Sequence, residues 1–133
     1  GTFTFPLAET AVVYAADGSA PAIASLKTAI GSAPGLKTIT AEARDLFRRP
    51  LLAEEMKGFD AIVFDPPRAG AEAQAAEIAR SQVARAVAVS CPPSPFVRAA
   101  PILVKAGFSL DRVTPIDQFL WSSHVELVGV FSR

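Results

Sequence analysis

Cys91 is the only cysteine among 133 residues, and it stands in Ser90-Cys91-Pro92-Pro93-Ser94-Pro95. Asp65-Pro66-Pro67-Arg68-Ala69-Gly70 precedes it and His124-Val125-Glu126 follows it, each motif beside a predicted strand end. A thiol is a strong nucleophile once ionised, and a nearby carboxylate can then accept a proton. One thiol and two carboxylates in a chain of mostly small apolar residues point to covalent catalysis.

The elements that must position these groups are legible in the apolar pattern. Strand-length apolar runs alternate with helical patterns, the signature of a largely parallel sheet. The run from Ala11 to Ala16 predicts a strand ending in Asp17-Gly18. Ile23, Leu26 and Ile30 fall at helical spacing, the stretch from Gly31 to Gly35 breaks that pattern, and Leu36 to Ala41 predicts a second strand. Ala61 to Phe64 predicts a third, which the prolines after Asp65 forbid to continue. A helix rich in Ala, Glu and Gln is predicted from about Ala71 to Gln82, then a strand over Ala86 to Val89 ending at Ser90-Cys91. Ser94 reads as the N-cap of the next helix, with Pro95 in its first turn, Phe96, Ala100 and Leu103 on one face, and Gly107 at its end.

Two further strands, Phe108 to Pro115 and His124 to Phe131, are joined by residues 116–123. A parallel crossover needs about a dozen residues or more, so this pair should be antiparallel. In open α/β sheets ligands lie beyond the carboxyl ends of the strands. Asp17, Asp65 and Cys91 all fall at such ends.

The chain is long enough for one domain with a core, spanning 1–133, and not for two. Half of it is hydrophobic, but no stretch reaches the roughly 18 apolar residues of a membrane span, and no signal-peptide pattern is present. A lone cysteine rules out an internal disulfide framework, which fits a reducing cytoplasm. One His and one Cys leave too few ligands for a protein-built zinc or iron–sulfur site, so no metal is expected. Thirteen basic and thirteen acidic residues cancel, leaving no electrostatic footprint for tight nucleic-acid binding by this segment alone. Gly1-Thr2-Phe3-Thr4-Phe5-Pro6 reads as the middle of a longer sequence.

Each candidate also has a plain structural reading. Asp17 could accept hydrogen bonds from ribose hydroxyls or cap a tight turn. Asp65 could be aimed into a crevice by two rigid prolines, or end a strand beside a surface Arg68. Cys91 alone would read as a buried packing residue, but it precedes a helix N-terminus, whose dipole favours a thiolate. Glu126 lies within an apolar strand, either as a working carboxylate or on the solvated face of an edge strand. His124 would share its face and reads as scaffold.

Taken together, these stretches resemble the carboxyl-terminal part of the RNA 5-methyluridine (uracil-C5) methyltransferases, which use S-adenosylmethionine. That family ends with an Asp-Pro-Pro/Ala-Arg-Ala-Gly turn, a Ser-Cys-Asn-Pro nucleophile loop with Arg-Asp shortly after, and an Asp-x-Phe…His-Val/Leu-Glu segment. The chain has Asp65 to Gly70, Ser90-Cys91, Arg98, Asp117-Gln118-Phe119 and His124-Val125-Glu126 in that order. Gly1-Thr2-Phe3 with Pro6-Leu7-Ala8 resembles the second half of the family's glycine-rich cofactor loop. The chain departs from the pattern at Pro92, Ala99 and Leu120, where the family usually has Asn, Asp and Pro.

The resemblance implies an α/β fold: a Rossmann-like class I methyltransferase sheet with a C-terminal antiparallel hairpin, lacking its first (central) strand. Such a truncated domain is expected to close the gap by direct strand pairing or by association, including with a second copy of itself. Cys91 would be the nucleophile and Glu126 the base that removes the C5 proton. Gly1, Thr2, Asp17 and Asp65 would line the cofactor site. The partner would be tRNA or rRNA, bound through the full-length protein, and the fragment alone would be inactive. The competing expectations are a non-catalytic remnant serving as an assembly module, and a methyltransferase with another substrate.

Overall fold

The apolar runs and amphipathic stretches become ten elements in a computed structural model that describes residues 1–117, 120–122 and 124–133. In chain order these are α1 (Thr4–Ala8), β1 (Val13–Asp17), α2 (Ala20–Gly31), β2 (Ile39–Ala43), β3 (Ala61–Phe64), α3 (Glu72–Arg80), β4 (Arg85–Ser90), α4 (Pro93–Lys105), β5 (Ser109–Ile116) and β6 (Glu126–Ser132). They divide into two compact units, residues 1–49 and 50–133. None of the described helices is long and apolar enough to cross a membrane.

In the first unit β1 and β2 pair in parallel, from Val13 opposite Ile39 to Asp17 opposite Ala43. Both strands start later than the apolar runs suggest. Lys37 donates its N–H to the Ala8 carbonyl at 2.7 Å, and only at Thr38, whose carbonyl accepts the Val13 N–H at 2.9 Å, does the chain turn toward β1. The short α1, with Pro6 inside it, carries no helical period for a sequence reading to find. Ser19 caps α2 by accepting the Ala22 N–H at 3.3 Å, and Ile23 and Leu26 are buried.

The second unit is a mixed four-stranded sheet in the order β3-β4-β6-β5. β3 and β4 are parallel, while β6 runs antiparallel to β4 and to β5. The expected closing hairpin is present. Its second strand starts later than expected, because β6 begins at Glu126, leaving His124 outside the ladder. β6 is also an interior strand, and β5 is the exposed edge. The edge-strand reading of Glu126 is therefore replaced by an interior one. The ladders form two separate sheets, so β1 and β3 are not paired directly.

Alternation sorts β4 and β6 into two faces. Ala86, Ala88 and Ser90 lie opposite Phe131, Gly129 and Leu127, and their face meets a core containing Met56, Ile78, Phe96, Leu103 and Phe108. Small residues here let α4 come close. A Cβ on Gly129 would lie 2.7 Å from Phe96 Cζ and nearer still to its Cε2. Helix α4 starts at Pro93, not after a Ser94 cap, and its N-cap Pro92 makes no side-chain cap bond. Prolines in a first turn carry no N–H that needs a cap. At the other end Gly107 adopts φ +95°, and the N–H of Phe108 bonds back to Leu103 O at 3.2 Å, closing the helix as predicted.

α3 ends two residues before the predicted Gln82, and Arg133 gathers carbonyls in the helix's last turn and just beyond it. Its guanidinium donates to Ala79 O at 3.1 Å, Val83 O at 3.0 Å and Ser81 O, and lies 4.1 Å from the Phe108 ring centroid. Charge-assisted bonds of this kind contribute about 1.5–3 kcal/mol, and solvent access keeps this group at the lower end. Arg133→Ala is expected to lower stability by about 2 kcal/mol, read as a shift in the urea midpoint at unchanged slope.

Candidate functional site

Strand direction decides which side chains meet. The carboxyl ends of parallel β3 and β4 share one edge of the sheet with the amino end of antiparallel β6. In register, Phe64 lies opposite Ala88 and Ser90 opposite Leu127. Cys91 follows Ser90, Glu126 precedes Leu127, and Asp65 follows Phe64. The second unit thus brings Asp65, Cys91 and Glu126 to a single edge.

Cys91 is a free, half-buried thiol. Its loop is held from beneath by Ser90, which is fully buried and donates its hydroxyl to the Pro92 carbonyl at 2.7 Å. The Cys91-Pro92 peptide is cis, and α4 begins directly after Pro92. Pro93 and Pro95 remove two N–H groups from the first turn, so the donors at this helix end are fewer than a simple dipole argument assumes.

The Asp65 carboxyl sits on an open turn, yet its pKa is raised, first by partial loss of water and then by the negative charge of Glu126. The Glu126 charge therefore reaches Asp65 at the edge that carries Cys91. Glu126 is half-buried and shares its strand face with Val128 and Val130, away from the helix-covered face.

The Asp65 turn is itself tied to α4. Gly70 donates its N–H to Pro67 O at 2.8 Å and adopts φ +96°. Arg98 pairs with Glu72 and also donates to Arg68 O at 3.2 Å and Ala69 O at 3.0 Å. Glu72's own backbone N–H, and then Arg98, hold the Glu72 carboxyl below the usual carboxylate range. A Cβ on Gly70 would meet Glu72 Oε2 and stand 2.6 Å from Arg98 Nη2.

The remaining predicted residues belong to the first unit. Asp17 ends β1, and its Oδ1 accepts the Ser19 N–H at 2.7 Å. This is the tight turn of the structural reading, while the helix cap itself is Ser19. Gly1 and Thr2 are exposed, and a Cβ on Gly1 would lie 3.0 Å from Leu26 Cδ1. His124 donates its backbone N–H to Ser122 Oγ at 3.1 Å. Of the Asp117-Gln118-Phe119 motif, Gln118 and Phe119 lie outside the described residues. A hollow of about 570 Å³ is lined by Leu52, Ala53, Glu54, Glu77 and Arg80. α3 runs back from the Asp65 edge, so this hollow opens at the opposite end and holds none of the chemistry. Among the described residues no group of His, Cys, Asp and Glu could hold a metal ion.

Sequence reasoning gave no role to Ser90, Glu72 or Gly129, and named Arg98 only as part of a motif. Gly129 carried a usable signal, since a glycine inside an apolar strand marks a close approach. The Arg98–Glu72 pairing joins residues 26 apart, which no local pattern encodes.

Residues 6–133 match the family model described as tRNA (Uracil-5-)-methyltransferase. The chain belongs to this family. Among its relatives, an "Uncharacterized RNA methyltransferase" of Caulobacter vibrioides is 65% identical over 133 residues, which are 100% of this chain and 32% of that protein. One from Rhizobium meliloti is 53% identical over the same shares. The chain thus spans about a third of the length of these methyltransferases. The Pyrococcus abyssi tRNA (uracil-54, C5)-methyltransferase, solved with S-adenosyl-L-homocysteine, superposes with a TM-score of 0.81 at 28% identity. That match covers 98% of this chain and 31% of the other. TYW2 of M. jannaschii, in complex with AdoMet, shares the fold at 19% identity and a TM-score of 0.67, over 100% of this chain and 64% of that one.

Proposed function

We propose that this chain is the catalytic segment of an S-adenosylmethionine-dependent RNA uridine-C5 methyltransferase, with tRNA as its substrate class. The carrying observation is the convergence of Cys91, Glu126 and Asp65 on one sheet edge. The family match and the Pyrococcus abyssi enzyme support tRNA. In this reading the two units are parts of one Rossmann-like class I domain. The rest of the protein supplies most phosphate contacts, in keeping with the balanced charge of this segment. A reducing cytoplasm would keep Cys91 a thiol.

The cofactor supplies an electrophilic methyl group when bound. Residues of the kinds that hold it are present in each unit: in the first, Asp17 offers a strand-end carboxylate with one oxygen already fixed by Ser19 and Gly1 and Thr2 are small and exposed; in the second, Asp65 offers a carboxylate at the end of β3. The protein's own work is done by Cys91 and Glu126. The thiolate adds to C6 of the uracil, forming an S–C6 bond and moving the C5–C6 π pair toward C5 and O4. C5 thereby becomes nucleophilic. After C5 is methylated, Glu126 takes its proton, the C5–C6 double bond re-forms and the thiolate leaves. The uridine must leave its stack to reach this edge.

Full-length protein incubated with cofactor and RNA containing 5-fluorouridine should form a denaturation-resistant adduct, because fluorine does not leave as a proton does. Cys91→Ala should abolish that adduct. An adduct of equal yield in Cys91→Ala would overturn the assignment.

A further inference from the structure

We infer that Arg98 is a positioning residue that sets the placement of Cys91 relative to Asp65. The inference rests on the methyltransferase reading of this edge. Asp65 and Cys91 occupy separate loops, one leading into α3 and the other into α4. Strand pairing fixes where each loop starts but not how each turns beyond its strand. Arg98, on the second turn of α4, reaches across to the other loop, to the carbonyls of Arg68 and Ala69 and to the Glu72 carboxylate at the start of α3.

Stability alone does not account for this arrangement. Both side chains of the Arg98–Glu72 pair are 41% exposed, and exposed ion pairs contribute little net stability, about 0–1 kcal/mol. The informative contacts are the two carbonyls. A planar guanidinium bridging two successive carbonyls and a carboxylate fixes orientation as well as distance, which a Lys ammonium does not. Gly70 completes the fit. Its positive φ turns the chain under Arg98, and a side chain there would occupy the space of Glu72 and Arg98. Ser90 holds the other side of the cysteine loop through Pro92 O, so the nucleophile loop is tied at the strand and, through α4, at the Asp65 turn.

A displacement of about 1 Å between reacting groups can cost on the order of 10²-fold in rate. In full-length protein, Arg98→Ala is expected to slow adduct formation with 5-fluorouridine RNA by about 10²-fold. The pH midpoints of the reaction and RNA affinity should be unchanged, because the contacts of Arg98 are to Glu72 and to the carbonyls of the Asp65 turn. Arg98→Lys should recover part of the rate, since it keeps the Glu72 pair but not the bridge. Hydrogen exchange supplies a readout independent of chemistry. The Gly70 amide and its neighbours in the Asp65 turn should exchange faster in Arg98→Ala, while the β4–β6 ladder stays protected. Wild-type-like adduct formation in Arg98→Ala, or slower formation with unchanged exchange at Gly70, overturns the inference and leaves the proposed function standing. Absence of any adduct in the wild-type protein overturns both.

Discussion

Glu126→Gln in the full-length protein is expected to form the covalent adduct normally and then to stall after C5 is methylated. A neutral amide keeps the shape of the side chain but cannot accept the C5 proton, and a positioned general base contributes about 10²–10⁴-fold. Turnover should fall by that order while a methylated protein–RNA complex accumulates. Quenching the reaction with denaturant and counting labelled methyl in the protein-bound fraction measures this directly. Normal turnover in Glu126→Gln would make the residue structural.

The same substitution carries a linked electrostatic result. Asp65 is raised by loss of water and, secondarily, by Glu126. Removing the Glu126 charge should lower the Asp65 pKa toward the ordinary carboxylate value, with burial as the remaining cause. The sign for stability follows. A carboxyl whose folded pKa is raised binds its proton more tightly when folded, so its contribution is greatest at low pH and is lost as pH rises through the folded pKa. Glu126→Gln should therefore gain thermal stability relative to wild type at neutral pH. That gain should vanish below about pH 4, where carboxyls are largely protonated in the unfolded chain as well. Carboxyl NMR titration of Asp65 and melting curves at the two pH values test both statements.

The order of elements and the direction of the closing hairpin were legible because they depend on local pattern and on connection length. Ala61 to Phe64 is followed by two prolines after Asp65, and the linker 116–123 is too short for a crossover; both features survive into the fold. What the pattern did not carry was strand order. Nothing local says that β6 inserts between β4 and β5, yet this insertion takes Glu126 off an edge and sets it at the sheet end where β4 leads into Cys91. The helix start at Pro93 was missed for a related reason. Ser94 has the chemistry of a cap, but prolines in the first turn leave little for a cap to satisfy. The Arg98 bridge and the Arg133 clasp join residues more than two dozen positions apart, and only the packing of α3 against α4 and the end of β6 creates them.

Packing beneath the site should matter nearly as much as the site itself, and Gly129 is where this can be measured. Gly129 lies on β6 opposite Ala88, directly under the Phe96 ring of α4, and a methyl group there would overlap that ring. Phe96 lies one turn into the helix whose first residue follows the Cys91 loop. The added volume can be accommodated only by turning the ring out of its place or by lifting the start of α4 off the sheet. Overpacking of this kind costs about 1–3 kcal/mol, so Gly129→Ala should unfold at a correspondingly lower urea concentration. The lift would also move Pro92 and Cys91 away from Glu126, so adduct formation should slow by about tenfold or more, at temperatures where the variant is still folded. A compensating Phe96→Leu change should restore part of both losses. In a double-mutant cycle the two positions should then show a coupling of about 0.5–3 kcal/mol, as contacting residues do. If the two effects simply added, or if Gly129→Ala matched wild type in stability and rate, the close approach of α4 to β6 would not be what seats the cysteine loop.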